Sequence, residues 1–243
     1  MVVRTSPNRD LWIVWFAIAF PALFTLVYFV LLAGTASVWQ QAAYGAGKLI
    51  QFLTPAFWVM LVNQARPRFH LPKTRDLAIG AGLGLALFAG VLILYHALEP
   101  ARFMDDLRGE VRKKLDDLGV QSAPAFAALA IFYSLVHSGL EEYYWRWFVF
   151  GRLRRLGSFG AAVATSSLGF MAHHVVILGV LFGWSTAAGI LITILASTAI
   201  AIGGVIWAWL YDRTGSLYAP WVSHAFIDAA IFAVGYDMVR QAQ

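Results

Sequence analysis

Seven apolar stretches, each about 20 residues long or longer, fix the class of structure this chain can adopt. They cover about residues 11–33, 44–64, 77–98, 124–150, 158–182, 186–210 and 217–238, and each is long enough to cross a hydrocarbon core ~30 Å thick as a helix. Inside lipid a backbone must satisfy its own hydrogen bonds, so only helices and closed barrels span a membrane. The stretches run unbroken instead of alternating with period two, which argues against a barrel. The expected fold is therefore all-α: a polytopic transmembrane helical bundle of seven spans, or eight if a short or re-entrant segment is added. Composition agrees, with 60% hydrophobic and 13% charged residues, against about 25% charged in ordinary soluble domains. At 243 residues the whole chain, 1–243, reads as a single transmembrane domain.

The segment between the third and fourth stretches is of another kind. Phe103, Leu107, Val111, Leu115 and Leu118 recur at helical spacing among mixed charges. That pattern predicts a helix lying at the membrane interface over 101–118, or a solvated helical hairpin. The first stretch follows Arg4 and Arg9 but exceeds the about 7–15 apolar residues of a secretory leader, so it reads as a retained helix.

Orientation follows from lysine and arginine in the loops. With the N-terminus cytoplasmic, ten basic residues fall on the inside and seven on the outside, five of the seven in the mixed-charge segment. This multi-pass arrangement accounts for the net charge of +5. No basic stripe with interleaved aromatics is present, so no nucleic-acid partner is expected. Cysteine is absent, which removes disulfides, a thiol nucleophile and thiolate metal sites. Gly80, Gly82, Gly84 and Gly90 form a small-residue ridge suited to close helix packing.

Ionisable groups inside apolar spans are costly, about 2.5–3.5 kcal/mol even on the lenient insertion scale, and by default they mark function. Three spans carry clusters of them: Glu141, Glu142 and Arg146 in the fourth, His173 and His174 in the fifth, His224 and Asp228 in the seventh. On an α-helix Glu142 and Arg146 share a face and can pair, whereas Glu141 points about 100° away and is left for acid or base chemistry. His224 and Asp228 are also four apart, so the carboxyl can orient the imidazole or help bind a reacting oxygen.

The three segments, in order, are Glu141-Glu142-Tyr-Tyr-Trp-Arg146, Phe170-Met-Ala-His-His174 and His224-Ala-Phe-Ile-Asp228. Together with Gly151-Arg-Leu-Arg-Arg-Leu-Gly-Ser and Gly215-Ser-Leu-Tyr-Ala-Pro, they resemble the CAAX prenyl-protease and bacteriocin-processing (CPBP) family of intramembrane proteases, of the type II CAAX prenyl endopeptidase kind. The resemblance covers a catalytic core over about 124–240. It implies that Glu141 and His174 activate a water, and that His224 with Asp228 stabilises the oxyanion. Glu142, Arg146 and Phe170 then support the site. Asp228 stands where the family more often has asparagine. The Phe-x-x-x-His spacing selects His174 over His173, which should face elsewhere.

The expected activity is cleavage of peptide bonds in membrane-associated substrates, peptides or proteins that can carry a lipid, with membrane lipids as the other partners. A cofactor-free reaction is preferred. If zinc is used, Glu141, His174 and His224 are its ligands. A proton-coupled transporter also uses buried Glu and His, but the chain halves show no paired broken helices. A non-catalytic immunity or scaffold protein of the same fold is the third reading, and intact Glu141, His174 and His224 argue against it. Counting from a loop at 152–155 puts Glu141 about 10 residues along its helix and His174 about 19 along the next, an offset of roughly 13 Å.

Overall fold

The computed structural model describes residues 7–33, 37–67, 69–98, 108–109, 111–112, 115–116, 120 and 122–241. Seven helices among them are long and apolar enough to cross a membrane: α1 Asn8–Leu31, α2 Val38–Val62, α3 Thr74–Leu98, α4 Ala123–Leu156, α5 Phe159–Phe182, α6 Gly189–Thr214 and α7 Tyr218–Arg240. No strand occurs among the described residues. The all-α polytopic bundle is thus the fold, and the chain is an integral membrane protein. Of the interfacial helix expected over 101–118, six residues are described, all helical, and the rest lies outside the described residues.

Three boundaries differ from the hydropathy reading. α2 begins at Val38, not near 44, because Gln40, Gln41 and Tyr44 sit in its first turns without breaking it. α6 continues through Asp212 and Arg213 to Thr214, where Gly215 at φ 65° terminates it and donates its N–H to Tyr211 O at 2.8 Å. A left-handed glycine is a common way to end a helix. α4 also runs past the arginines to Leu156, so residues 152–155 are helical and the offset counted from a loop there loses its starting point. Its start is defined by Ser122, whose hydroxyl accepts from Ala125 N–H at 3.3 Å, with Pro124 in the first turn. Ser158 caps α5 in the same way, accepting from Ala161 N–H at 3.3 Å.

Two compact units make up the chain. The first comprises Met1–His70 and Tyr143–Gly215, the second Leu71–Glu142 and Ser216–Gln243. α4 contributes to both.

In the first unit α5 and α6 pack closely. A Cβ on Gly204 would stand 3.0 Å from Ser167 Cβ, so the glycine permits the approach. Phe150, Ala162, Val163 and Ala208 form an apolar core there. α1 is tied to α4 by polar bonds at two levels. Tyr144 Oη donates to Ala17 O at 2.7 Å, and Arg152 Nε lies 3.4 Å from Asp10 Oδ1 with its guanidinium over the Phe148 ring.

In the second unit α3 packs on α7 through two glycines. A Cβ on Gly80 would meet Ala219 O at 2.6 Å, and one on Gly84 would meet Phe226 Cδ2 at 2.6 Å. A Cβ on Gly82 or Gly90 meets nothing within 4 Å, so the expected four-glycine ridge narrows to the two that face α7. α7 also meets the N-terminal part of α4. Gly139 leaves room for the Trp221 indole, whose Nε1–H donates to Leu135 O at 2.9 Å.

α4 is not wound uniformly. Phe132–His137 and Tyr143–Phe150 are π-helical, and Ser138–Glu142 between them is α-helical. π turns inside α-helices recur at functional sites, and here they bracket both glutamates.

Candidate active site

In the second unit two acids from α4 meet an imidazole and an acid from α7. Glu141 is 3% exposed, Glu142 fully buried and His224 4% exposed. His224 Nδ1 and Glu142 Oε1 are 2.8 Å apart, a hydrogen bond between an imidazole and a carboxylate. The other ring nitrogen, Nε2, lies 3.7 Å from Glu141 Oε2 and 3.7 Å from Asp228 Oδ1. Of the four residues expected to be catalytic, Glu141, His224 and Asp228 therefore converge on one nitrogen.

Glu142 enters this cluster in a way the sequence did not foretell. Four-residue spacing marks it as a partner for Arg146. The structure gives Glu142 a role in the cluster itself, accepting from His224 of the neighbouring helix. With Nδ1–H donated to Glu142, Nε2 is the nitrogen turned towards the acids, where it accepts a proton or donates one if the ring carries both. A carboxylate that fixes the tautomer of a working histidine is a recurring device.

One member of the cluster was missed. His137 Nε2 lies 3.4 Å from Glu141 Oε1, on the same helix and one turn earlier. The signal was legible as His137-x-x-x-Glu141, since residues four apart on an α-helix are neighbours. Glu141 thus has an imidazole nitrogen facing each carboxylate oxygen.

The first unit holds the remaining motif residues. His174 Nδ1 is 2.9 Å from Phe170 O, one turn back in α5. Only a protonated Nδ1 can hydrogen-bond a carbonyl, which leaves Nε2 as the basic nitrogen. His173 is 3% exposed, and its ring lies parallel to the Trp145 indole at 5.8 Å between centroids. The two histidine rings are 4.0 Å apart, closer than a separation of about 100° around the helix suggests. The reason is Phe170. It sits three and four residues earlier, and both rings pack against it, at 5.6 Å and 4.8 Å. Phe170 also forms one side of a cation–π clamp, with the Arg146 guanidinium 4.7 Å from its centroid and 5.0 Å from that of Trp207. This gives Phe170 and Arg146 a shared structural role.

Taken singly, the donor types present would suit a divalent metal. Imidazole nitrogen and carboxylate oxygen are donor types that a catalytic zinc takes, but Glu141, His224 and Asp228 do not close into a metal-sized cluster. The Glu142 carboxylate behind His224 is the orienting group such a ligand commonly carries.

All three motifs, from Glu141 to Asp228, lie inside the part of the chain that has known relatives by family. No curated protein and no solved structure matches the chain. Residues 123–230 match the family model for type II CAAX prenyl endopeptidase, Rce1-like. Over that segment the chain is similar to the Rce1-like type II CAAX prenyl endopeptidases.

Proposed function

We propose that this protein is an intramembrane endopeptidase of CAAX-protease type, hydrolysing peptide bonds of membrane-associated substrates, peptides or proteins that can carry a lipid. The observation that carries the reading is the convergence of Glu141 and Asp228 on Nε2 of a buried His224 whose other nitrogen is bonded to Glu142. Charged groups at such depth are costly, and a scaffold has no need of three acids around one imidazole.

In this mechanism Glu141 accepts a proton from water as the oxygen adds to the scissile carbonyl carbon, with His174 as its partner in activating the water. The carbonyl C=O becomes a tetrahedral oxyanion, stabilised by an N–H from His224 Nε2 oriented by Asp228 and Glu142. Collapse of the intermediate breaks the C–N bond, and Glu141 returns the proton to the leaving amine. One water is consumed, and an acid and an amine are released. The reaction needs no cofactor in this form. A bound zinc, held by Glu141, His174 and His224, would supply Lewis-acid polarisation of the carbonyl and of the water. The N-terminus is cytoplasmic in this proposal, as the loop charges suggest.

The test is cleavage of a prenylated CAAX peptide by the purified protein in detergent. Wild type cleaves it, and Glu141→Gln, His174→Ala and His224→Ala each lose at least about a hundredfold in kcat, the usual scale for a general base or oxyanion donor. Near-normal turnover by Glu141→Gln would sink the proposal.

A further inference from the structure

We infer that His137 is a positioning residue that orients the Glu141 carboxylate, and that α7 holds it in place through two aromatic rings. The inference deepens the peptidase reading and rests on it.

Glu141 can act as a base only if one oxygen is presented to water at a fixed angle. A glutamate has three side-chain torsions, and the last of them is soft, so the carboxylate plane turns unless something holds it. His224 Nε2 faces Oε2 at 3.7 Å. His137 Nε2 is nearer, at 3.4 Å, and faces the other oxygen, Oε1. An N–H aimed at Oε1 fixes the plane and leaves Oε2, on the side of His224 and Asp228, to take the proton. Nε2 carries that hydrogen in the imidazolium and in one neutral tautomer, so the role does not depend on a particular charge state.

His137 is itself braced. Its ring lies 4.9 Å from that of Tyr133, one turn earlier, and Tyr133 lies 5.8 Å from Phe232 of α7. The run Phe232–Tyr133–His137–Glu141 therefore starts on the helix that carries His224 and Asp228 and ends on the base. The π winding of Phe132–His137 belongs to the same device, because it sets which side chains upstream of Glu141 face α7. Packing alone does not call for a histidine here. Leucine would fill the same space beside Tyr133 without an imidazole's desolvation cost.

The experiment compares His137→Leu, His137→Gln and Tyr133→Leu in the full chain by peptide cleavage and thermal unfolding in detergent. His137→Leu keeps the volume and loses the donor. Its kcat is expected to fall about 10–100-fold, the usual cost of removing an orienting partner, with KM within about twofold. His137→Gln retains an N–H donor and recovers most of that loss. Tyr133→Leu lowers kcat in the same direction by less. On a Glu141→Gln background, His137→Leu has no further effect on the residual rate, as a residue acting only through Glu141 requires. Undiminished kcat in His137→Leu, equal impairment of the leucine and glutamine variants, or a further drop on the Glu141→Gln background would each overturn the inference. If Glu141→Gln is dead while His137→Leu is fully active, the positioning role alone falls. If the wild type does not cleave, or Glu141→Gln turns over normally, the peptidase reading falls and takes this inference with it.

Discussion

At the residue scale, the feature with the sharpest consequence is the hydrogen bond from His224 to Glu142. It joins a histidine that the motif placed in the chemistry to a glutamate that the spacing had assigned to an ion pair. Glu142→Leu leaves the buried Nδ1 without this acceptor, a loss of about 1–3 kcal/mol for a stranded polar group. It also frees the ring to turn. The variant is expected to unfold at lower temperature and to lose about 10–100-fold in turnover. Glu142→Gln, which keeps a carbonyl oxygen in place, retains part of both. Circular dichroism melts and peptide cleavage on the same preparations separate the two effects, and equal behaviour of the leucine and glutamine variants would show that the bond contributes nothing. Glu141, His224 and Asp228, which the structure brings together, stand out in the sequence because an acid or imidazole deep in a span costs too much to be kept without a use. The partnerships do not. Which oxygen meets which nitrogen depends on the rotation of α7 against α4, and no one-dimensional spacing reports it.

At the scale of elements, length and apolarity revealed seven spans, and turn chemistry at Ser122, Ser158 and Gly215 explains several of their ends. The hydropathy reading erred at α2, α4 and α6, where polar or basic turns continue a helix that composition alone seems to stop. It also treated α4 as an ordinary α-helix. The π segments on either side of Ser138–Glu142 change which residues share a face along α4. The glycines of α3 make a clean test of packing. Gly80→Val drives a side chain into Ala219 O and is expected to lower stability by about 1–3 kcal/mol, the cost of overpacking. Gly82→Val, with open space around its Cβ, should stay within about 0.5 kcal/mol. Denaturant unfolding in detergent compares them, and equal effects would mean that α3 does not meet α7 through Gly80.

At the scale of the molecule, the metal question is one of stoichiometry. The donor types suit zinc, and the preferred reading is a reaction without it. The purified protein is then expected to contain well under one equivalent of zinc by elemental analysis and to keep its activity in a chelator too large to enter the site. Stoichiometric zinc, lost with activity and restored with it, would reverse that preference and make Glu141, His174 and His224 the ligands to substitute first.

Each of the two units is stitched from segments far apart in the chain, and this bears on how the protein is made. A ribosome delivers helices in order, and α1 and α2 enter the bilayer long before α5 and α6 exist to complete their unit. The second unit waits longest, because α3 and the first part of α4 need α7, the last of the seven. Until His224 is translated, Glu141 and Glu142 sit in a half-built membrane domain without the α7 imidazole that faces them both. Nascent chains halted before residue 218 should therefore be the species that membrane proteases and insertase-associated chaperones recognise.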